Sequence, residues 1–257
     1  MFVTTFRYPL PEREKKFLKQ AFSRTISYKD QKIKVYKWGE KNRLDNRKEK
    51  PILFVHGWMG RAGQFHDFVN HFCSQGYQCV SFDAVGHGGS TGKRTNLMEF
   101  AEIIHELDKM FGGFQMVVGH SLGGVASLLA NTQKQLTDKL VMISSPAVGK
   151  DILKEFASGL NASDRNIHYL LASIEKQFDR PFESVTAEYL IQQLTDTDLL
   201  LIYDSDDSQV PLSHPQRLVE QYPAAKLITT SGLGHYRILR DASVVENTFE
   251  HLQAVPV

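Results

Sequence analysis

A chain of 257 residues with 42% apolar and 23% charged side chains has an ordinary globular composition, enough for one large α/β domain or one domain with a small insertion. A formal net charge of +1 excludes any global attraction to nucleic acid or to an acidic membrane surface. No apolar run approaches the roughly 20 residues that span a bilayer, and residues 1–7 lack the basic-then-apolar order of a secretory signal, so a cytoplasmic protein with no membrane partner is expected.

In chain order, residues 21–28 and 32–38 read as two strands of a hairpin at a sheet edge. The mixed-sign run 41–50 reads as a solvated loop. Residues 51–55 form a buried strand, and 62–74 a helix carrying Phe65, Phe68, Val69 and Phe72 at helical spacing. Gly76 stops that helix before a strand over 77–82. Cys73 and Cys79, on either side of this turn, have neither metal nor redox spacing and read as free thiols. Asn96 is placed to cap a helix over 97–111 that Gly112 and Gly113 end. A strand over 114–118, a helix from 124 and a strand over 139–144 follow.

This alternation implies a mostly parallel central sheet with helices on both faces. It breaks between 147 and 196, where only helix-like segments occur, over 152–160, 167–178 and 185–194. A small helical cap inserted between core segments 1–146 and 197–257 is therefore expected. Its apolar residues, among them Phe156, Tyr169, Ile174, Phe178, Tyr189 and Leu190, pack one another, and a minority line a substrate pocket. The alternation resumes with a strand over 199–203, a helix over 214–221, a strand over 226–229 and a helix over 244–252.

Gly119-His120-Ser121-Leu122-Gly123 joins a predicted strand to a predicted helix, the context of a nucleophile elbow. A serine hydroxyl needs a base within hydrogen-bonding reach. Of ten histidines, His235 follows the last strand on a glycine-flanked loop, at the sheet end where Ser121 stands. His87, in Gly86-His87-Gly88-Gly89, is the second candidate. His120 reads as a wall residue, His56 as a loop pin, and His66, His71, His105, His168, His214 and His251 as structural or solvated. The acid is sought just past Tyr203, where Asp204, Asp206 and Asp207 compete; its place relative to Val210-Pro211 favours Asp207. The others are expected to be solvated or to make turn hydrogen bonds. Oxyanion donors are expected from the backbone N–H of Leu122, next to the serine, and of Trp58, in the glycine-flanked loop 56–60.

These motifs resemble the α/β-hydrolase family along nearly the whole chain. His56-Gly57-Trp58-Met59-Gly60 is similar to its oxyanion loop, residues 119–123 to its elbow, and Asp83-Ala84-Val85-Gly86-His87-Gly88-Gly89-Ser90 to the segment that shapes its site floor. Asp207 to Pro211 and Gly234-His235 resemble its acid and base loops. One departure stands out: Asp204 occupies the place, three residues before the acid, where the family often has glycine. The resemblance implies hydrolysis; taken with the apolar residues of the expected cap, it predicts a serine hydrolase acting through an acyl-enzyme on a small to medium, mostly apolar ester or thioester, with catalytic Ser121, His235 and Asp207. Alternatives that use the same residues are a carbon–carbon bond hydrolase and a ligand-sensing protein that recruits a partner. With no metal-ligand spacing and no dinucleotide-type glycine loop, no cofactor or metal is expected.

Overall fold

The computed structural model describes residues 3–39, 50–147 and 181–254, together with Ala172 and Glu175. Strand β1 (Val3–Thr4) and helix α1 (Glu12–Leu18) precede the hairpin of β2 (Phe22–Tyr28) and β3 (Gln31–Trp38). Then come β4 (Ile52–Val55), α2 (His66–Ser74), β5 (Cys79–Asp83), β6 (Arg94–Thr95) and α3 (Leu97–Phe111). They are followed by β7 (Met116–His120), α4 (Leu122–Gln133) and β8 (Lys139–Ile143). The last part contributes β9 (Asp198–Asp204), α5 (Ser213–Gln221), β10 (Lys226–Thr230) and α6 (Ala242–Gln253). Helix α1 and the antiparallel pair of β1 with β6 go beyond the sequence expectation, because segments this short carry little periodicity. The helix expected over 62–74 starts as a 3-10 turn, Ala62–Phe65, before α2.

One eight-stranded sheet runs β10-β9-β8-β7-β4-β5-β3-β2. The six strands from β10 to β5 are parallel, and the β2–β3 hairpin closes one edge antiparallel. Strand alternation sorts the apolar residues onto two faces. Leu53, Val55, Val117, Leu140, Met142, Leu199 and Leu201 pack with α3, α4 and α5 through Ile104, Leu128 and Leu218. Ile52, Phe54, Met116, Val118, Val141, Ile143 and Leu200 pack with α2 and α6 through Phe68, Phe72 and Phe249. The central strands are buried throughout because helices cover both faces. Phe54 meets the rings of Phe65, Phe68 and Phe72 at 5.3, 6.0 and 5.8 Å, so truncating any of them to alanine should cost about 3–5 kcal/mol. Helix α3 is capped as expected: Asn96 accepts from Glu99 N at 3.0 Å, and Gly112 leaves the helix at φ +75°.

The run 41–49, the segments 152–160 and 167–171 with most of 172–178, and the residues Phe156, His168, Tyr169, Ile174 and Phe178 lie outside the described residues. The third segment expected to be helical, 185–194, is three short turns: Phe182–Val185, Ala187–Leu190 and Ile191–Gln193. Ala187, Leu190, Ile191 and Leu194 are buried in the cluster that covers the α4 face of the sheet. Tyr189, by contrast, is exposed. Among the described residues, no helix is long and apolar enough to cross a membrane. Cys73 and Cys79 are free thiols, half-buried and buried.

Parallel strands end on the same side. The loops after β4, β5, β7, β9 and β10 therefore share one rim, and the residues singled out above for chemistry lie on these loops or at the element ends that flank them.

Candidate active site

Between β7 and α4 the backbone turns at Ser121, which holds φ +54° and ψ −125°. A non-glycine residue in this region is strained and persists only where its surroundings impose it. Here they do. Ser121 N donates to Ile143 O at 2.9 Å, and α4 starts at once, pressed against the end of β4. A side chain at Gly123 would place its Cβ 2.2 Å from Val55 O, so only glycine allows the helix to start so close to that strand. A Cβ at Gly57 would lie 2.8 Å from Ser121 Cβ, which puts the 56–60 loop directly against the serine. Leu122 is the first residue of α4, where N–H groups have no acceptor within the helix.

That loop is held from the adjacent floor. His56 donates from Nδ1 to Gly57 O at 2.7 Å and accepts from Ala84 N on Nε2 at 3.0 Å. His87 donates from Nδ1 to Val85 O at 2.9 Å and accepts from Met59 N on Nε2 at 3.0 Å, while its ring meets the Trp58 ring edge-on at 5.5 Å. Both nitrogens of His87 are thus committed to backbone, and this second candidate base is a support of the loop that carries Trp58. Burial lowers His56 to about 4 and His87 to about 3, so both rings are neutral near pH 7. Asp83 completes the floor: its carboxylate accepts from Ala62 N at 2.9 Å, Gly89 N at 2.8 Å and the Tyr36 hydroxyl at 3.0 Å.

The loop expected to carry the base follows β10, and His235 is buried on a one-turn helix, Gly234–Arg237. Its Nδ1 lies 2.8 Å from Asp207 Oδ2. With Nδ1 donating to that carboxylate, Nε2 has no hydrogen-bond partner among the described residues and is the nitrogen left to accept one. His120, the residue before Ser121, donates from Nε2 to the His235 carbonyl at 2.8 Å, and the two rings are 4.8 Å apart. The turn at Ser121 and the loop of His235 are therefore in contact, although no hydrogen bond joins Ser121 Oγ to His235 among the described residues. Burial, with a smaller repulsion from His235, lowers His120 to about 3. Of the remaining histidines, His214 accepts from Ala147 N at 3.0 Å, His105 pairs with Gln133 and His251 reaches Asp198 O. None of these lies on the rim loops.

Three aspartates competed on the sequence for the acid, and geometry separates them. Asp207 is buried and meets His235; its Oδ1 accepts from Gln209 N at 2.8 Å and Val210 N at 2.9 Å. Burial alone would raise its carboxyl, but the His235 contact and the two N–H donors outweigh that and hold it below the usual carboxylate range. Asp206 turns outward and accepts from Gly232 N at 2.6 Å. Asp204 is fully buried, not solvated, and its hydrogen bonds extend well beyond its own turn. The sequence held one signal of this, the aspartate in place of glycine.

A second feature missed on the sequence is the N-terminal strap. Thr5 donates to Gly86 O at 2.9 Å, and Arg7 to Ser90 O, fastening residues 3–8 to the site floor. Between this strap and the 56–60 loop lies a cavity of about 140 Å³ lined by Phe6, Arg7, Tyr8, Leu10, Met59 and His87 among others.

A family model described as serine aminopeptidase, S33, matches residues 46–242, most of the chain. The chain belongs to this serine hydrolase family. Curated relatives of this S33 hydrolase include the monoacylglycerol lipase of Mycolicibacterium smegmatis, 27% identical over 105 residues that make up 38% of each chain. Phospholipase YtpA of Bacillus subtilis is 27% identical over 123 residues, 45% of this chain and 48% of that one. The matched part thus spans less than half the length of either relative. An esterase of Pyrococcus furiosus superposes with a TM-score of 0.71 at 19% identity, covering 100% of this chain and 99% of the other. At that identity the superposition speaks for architecture, and the architecture is the α/β-hydrolase fold.

Proposed function

We propose that this chain cleaves a small to medium, mostly apolar carboxylic ester or thioester through an acyl-enzyme on Ser121. The observation that carries this reading is the 2.8 Å contact of His235 Nδ1 with Asp207, on a loop whose carbonyl is held by the residue next to Ser121. In the first step Ser121 Oγ attacks the carbonyl carbon and its proton passes to His235 Nε2. Asp207 stabilises the imidazolium that forms. The negative charge on the carbonyl oxygen is met by the N–H groups of Trp58 and Leu122. Collapse breaks the bond to the alcohol or thiol, which takes the proton from His235. A water molecule, deprotonated by the same ring, then releases the acid and restores the serine.

Two further lines support an ester substrate. Relatives are named as lipases acting on monoacylglycerol and phospholipid, both of which carry ester bonds. The described rim also presents apolar walls, Met59 and Tyr236 among them. Residues 147–196 are proposed as a cap inserted between the two core segments; of its described part, Leu190, Ile191 and Leu194 are buried in the core. Substrate size would be chosen there.

A panel of nitrophenyl esters and thioesters of increasing chain length, run on wild type, Ser121→Ala and His235→Ala, tests the proposal. Wild type is expected to turn over short and medium chains and to be labelled by a fluorophosphonate, with both variants inactive. Labelling that persists in Ser121→Ala would sink the assignment of the nucleophile.

A further inference from the structure

Asp204 ends β9 with its carboxylate fully buried, yet no cation lies against it among the described residues' ion pairs. Four donors meet it instead. Oδ1 accepts from Asp206 N at 3.0 Å and from Gly234 N at 2.9 Å. Oδ2 accepts from the Thr230 hydroxyl at 2.7 Å and from Leu233 N at 3.1 Å. A carboxylate has about four lone-pair directions, and all are used here. Burial alone would raise this group, but the donors outweigh it and hold the carboxyl below its usual range, so it is ionised near pH 7.

The donors come from both sides of the pair that does the chemistry. Asp206 N belongs to the loop carrying Asp207, whereas Leu233 N and Gly234 N lead directly into His235. Thr230 ends β10, and Ser205 N donates to its carbonyl at 2.8 Å, so strand ends and loop tips are tied at the same point. Hydrogen bonds to an ionised acceptor are short and directional, and four on one carboxylate leave the two loops little room to slide. Among the nearby charged groups, Asp206 and Asp207 follow it in the chain, Asp241 feels its charge, and the Arg237 guanidinium donates to Gly232 O, beside Leu233.

We propose that Asp204 is a positioning residue: its carboxylate sets the separation of the acid loop and the base loop, and so the contact of Asp207 with His235. The inference rests on the triad reading above. Asparagine in its place keeps the volume but turns an NH2 toward backbone N–H donors.

The test is a double-mutant cycle of Asp204→Asn with Asp207→Asn, read in kcat and KM on the best ester of the panel. Asp204→Asn is expected to lower kcat about 10- to 100-fold with KM nearly unchanged, because it misplaces the base without touching substrate. In the Asp207→Asn background the same change should cost less than about twofold, since the contact it serves is already lost. Equal losses in both backgrounds overturn the proposal, as does a lower Tm with kcat intact. The low-field proton resonance of His235 Nδ1 gives a readout apart from activity. It should shift or broaden in Asp204→Asn, and an unchanged resonance counts against the proposal. If Asp204→Asn does not fold, Thr230→Val removes one donor and keeps the charge; a loss of about two- to fivefold, again absent beside Asp207→Asn, is expected. Should Asp207→Asn by itself leave kcat intact, the triad reading fails, and the resonance alone then decides the role of Asp204.

Discussion

The turn at Ser121 and the proposed acid–base pair of Asp207 and His235 stand on one rim but are built by different means. Ser121 is positioned by backbone: a positive φ, a glycine that lets α4 touch β4, and central strands buried on both faces. His235 and Asp207 sit on loops near the sheet edge, where β10 is half-exposed and side chains supply the order. A carboxylate at 204, a hydroxyl at 230 and an imidazole at 120 do there what strand packing does at the centre. Central geometry is thus over-determined by the fold, while edge geometry depends on a few polar groups and is the easier of the two to break without unfolding the protein.

The sharpest break is removal of the two groups proposed to react. Ser121→Ala or His235→Ala should lower kcat by about 10⁶-fold, with Tm within a few degrees of wild type, as measured by steady-state kinetics and calorimetry. Similar turnover in either variant would remove the acyl-enzyme account. At the edge, Asp207→Asn should lower kcat about 10⁴-fold, because the tautomer of His235 is no longer held. Asp206→Asn, which alters only an exposed contact to Gly232 across the two loops, should stay within a few-fold; equal losses at 206 and 207 would reassign the acid.

At the centre the effect should fall on folding before chemistry. Gly123→Ala forces a Cβ toward Val55 O, and a loss of about 1–3 kcal/mol is expected in urea unfolding, accompanied by reduced labelling of Ser121. A stable, fully active Gly123→Ala variant would show that the elbow has more slack than its contacts imply.

The smallest and most general effect concerns pH. His56, His87 and His120 are buried neutral, with values lowered from 6.5 to about 4, 3 and 3. The unfolded chain binds protons at these positions that the native state refuses, so stability falls as pH drops below about 6.5 and continues to fall toward 4. Asp204 and Asp207, held below their usual range, add a further loss once pH enters the carboxylate range. The dependence of Tm on pH near 5 should correspond to uptake of close to three protons by these rings on unfolding, and His87→Gln should remove about one. A Tm flat between pH 7 and 5 would contradict the buried, neutral rings.

Strand alternation, the caps at Asn96 and Gly112, and the elbow were legible because each is a local pattern, written within a few residues of the atoms it organises. Order along parallel strands then placed Trp58, Ser121, Asp207 and His235 on one rim, since their loops all follow carboxyl ends. Three matters were decided only by the tertiary structure. His87 became a loop support when Met59 N and Val85 O claimed both its nitrogens. Position relative to Val210-Pro211 favoured Asp207 among three aspartates, but that it is the one to face the ring of His235, 28 residues on, was settled by how the loops fold. Asp204 gained its partners from donors as many as 30 residues away. Hydrogen bonds over such separations follow from how two loops come to face each other, and no spacing within either loop encodes that.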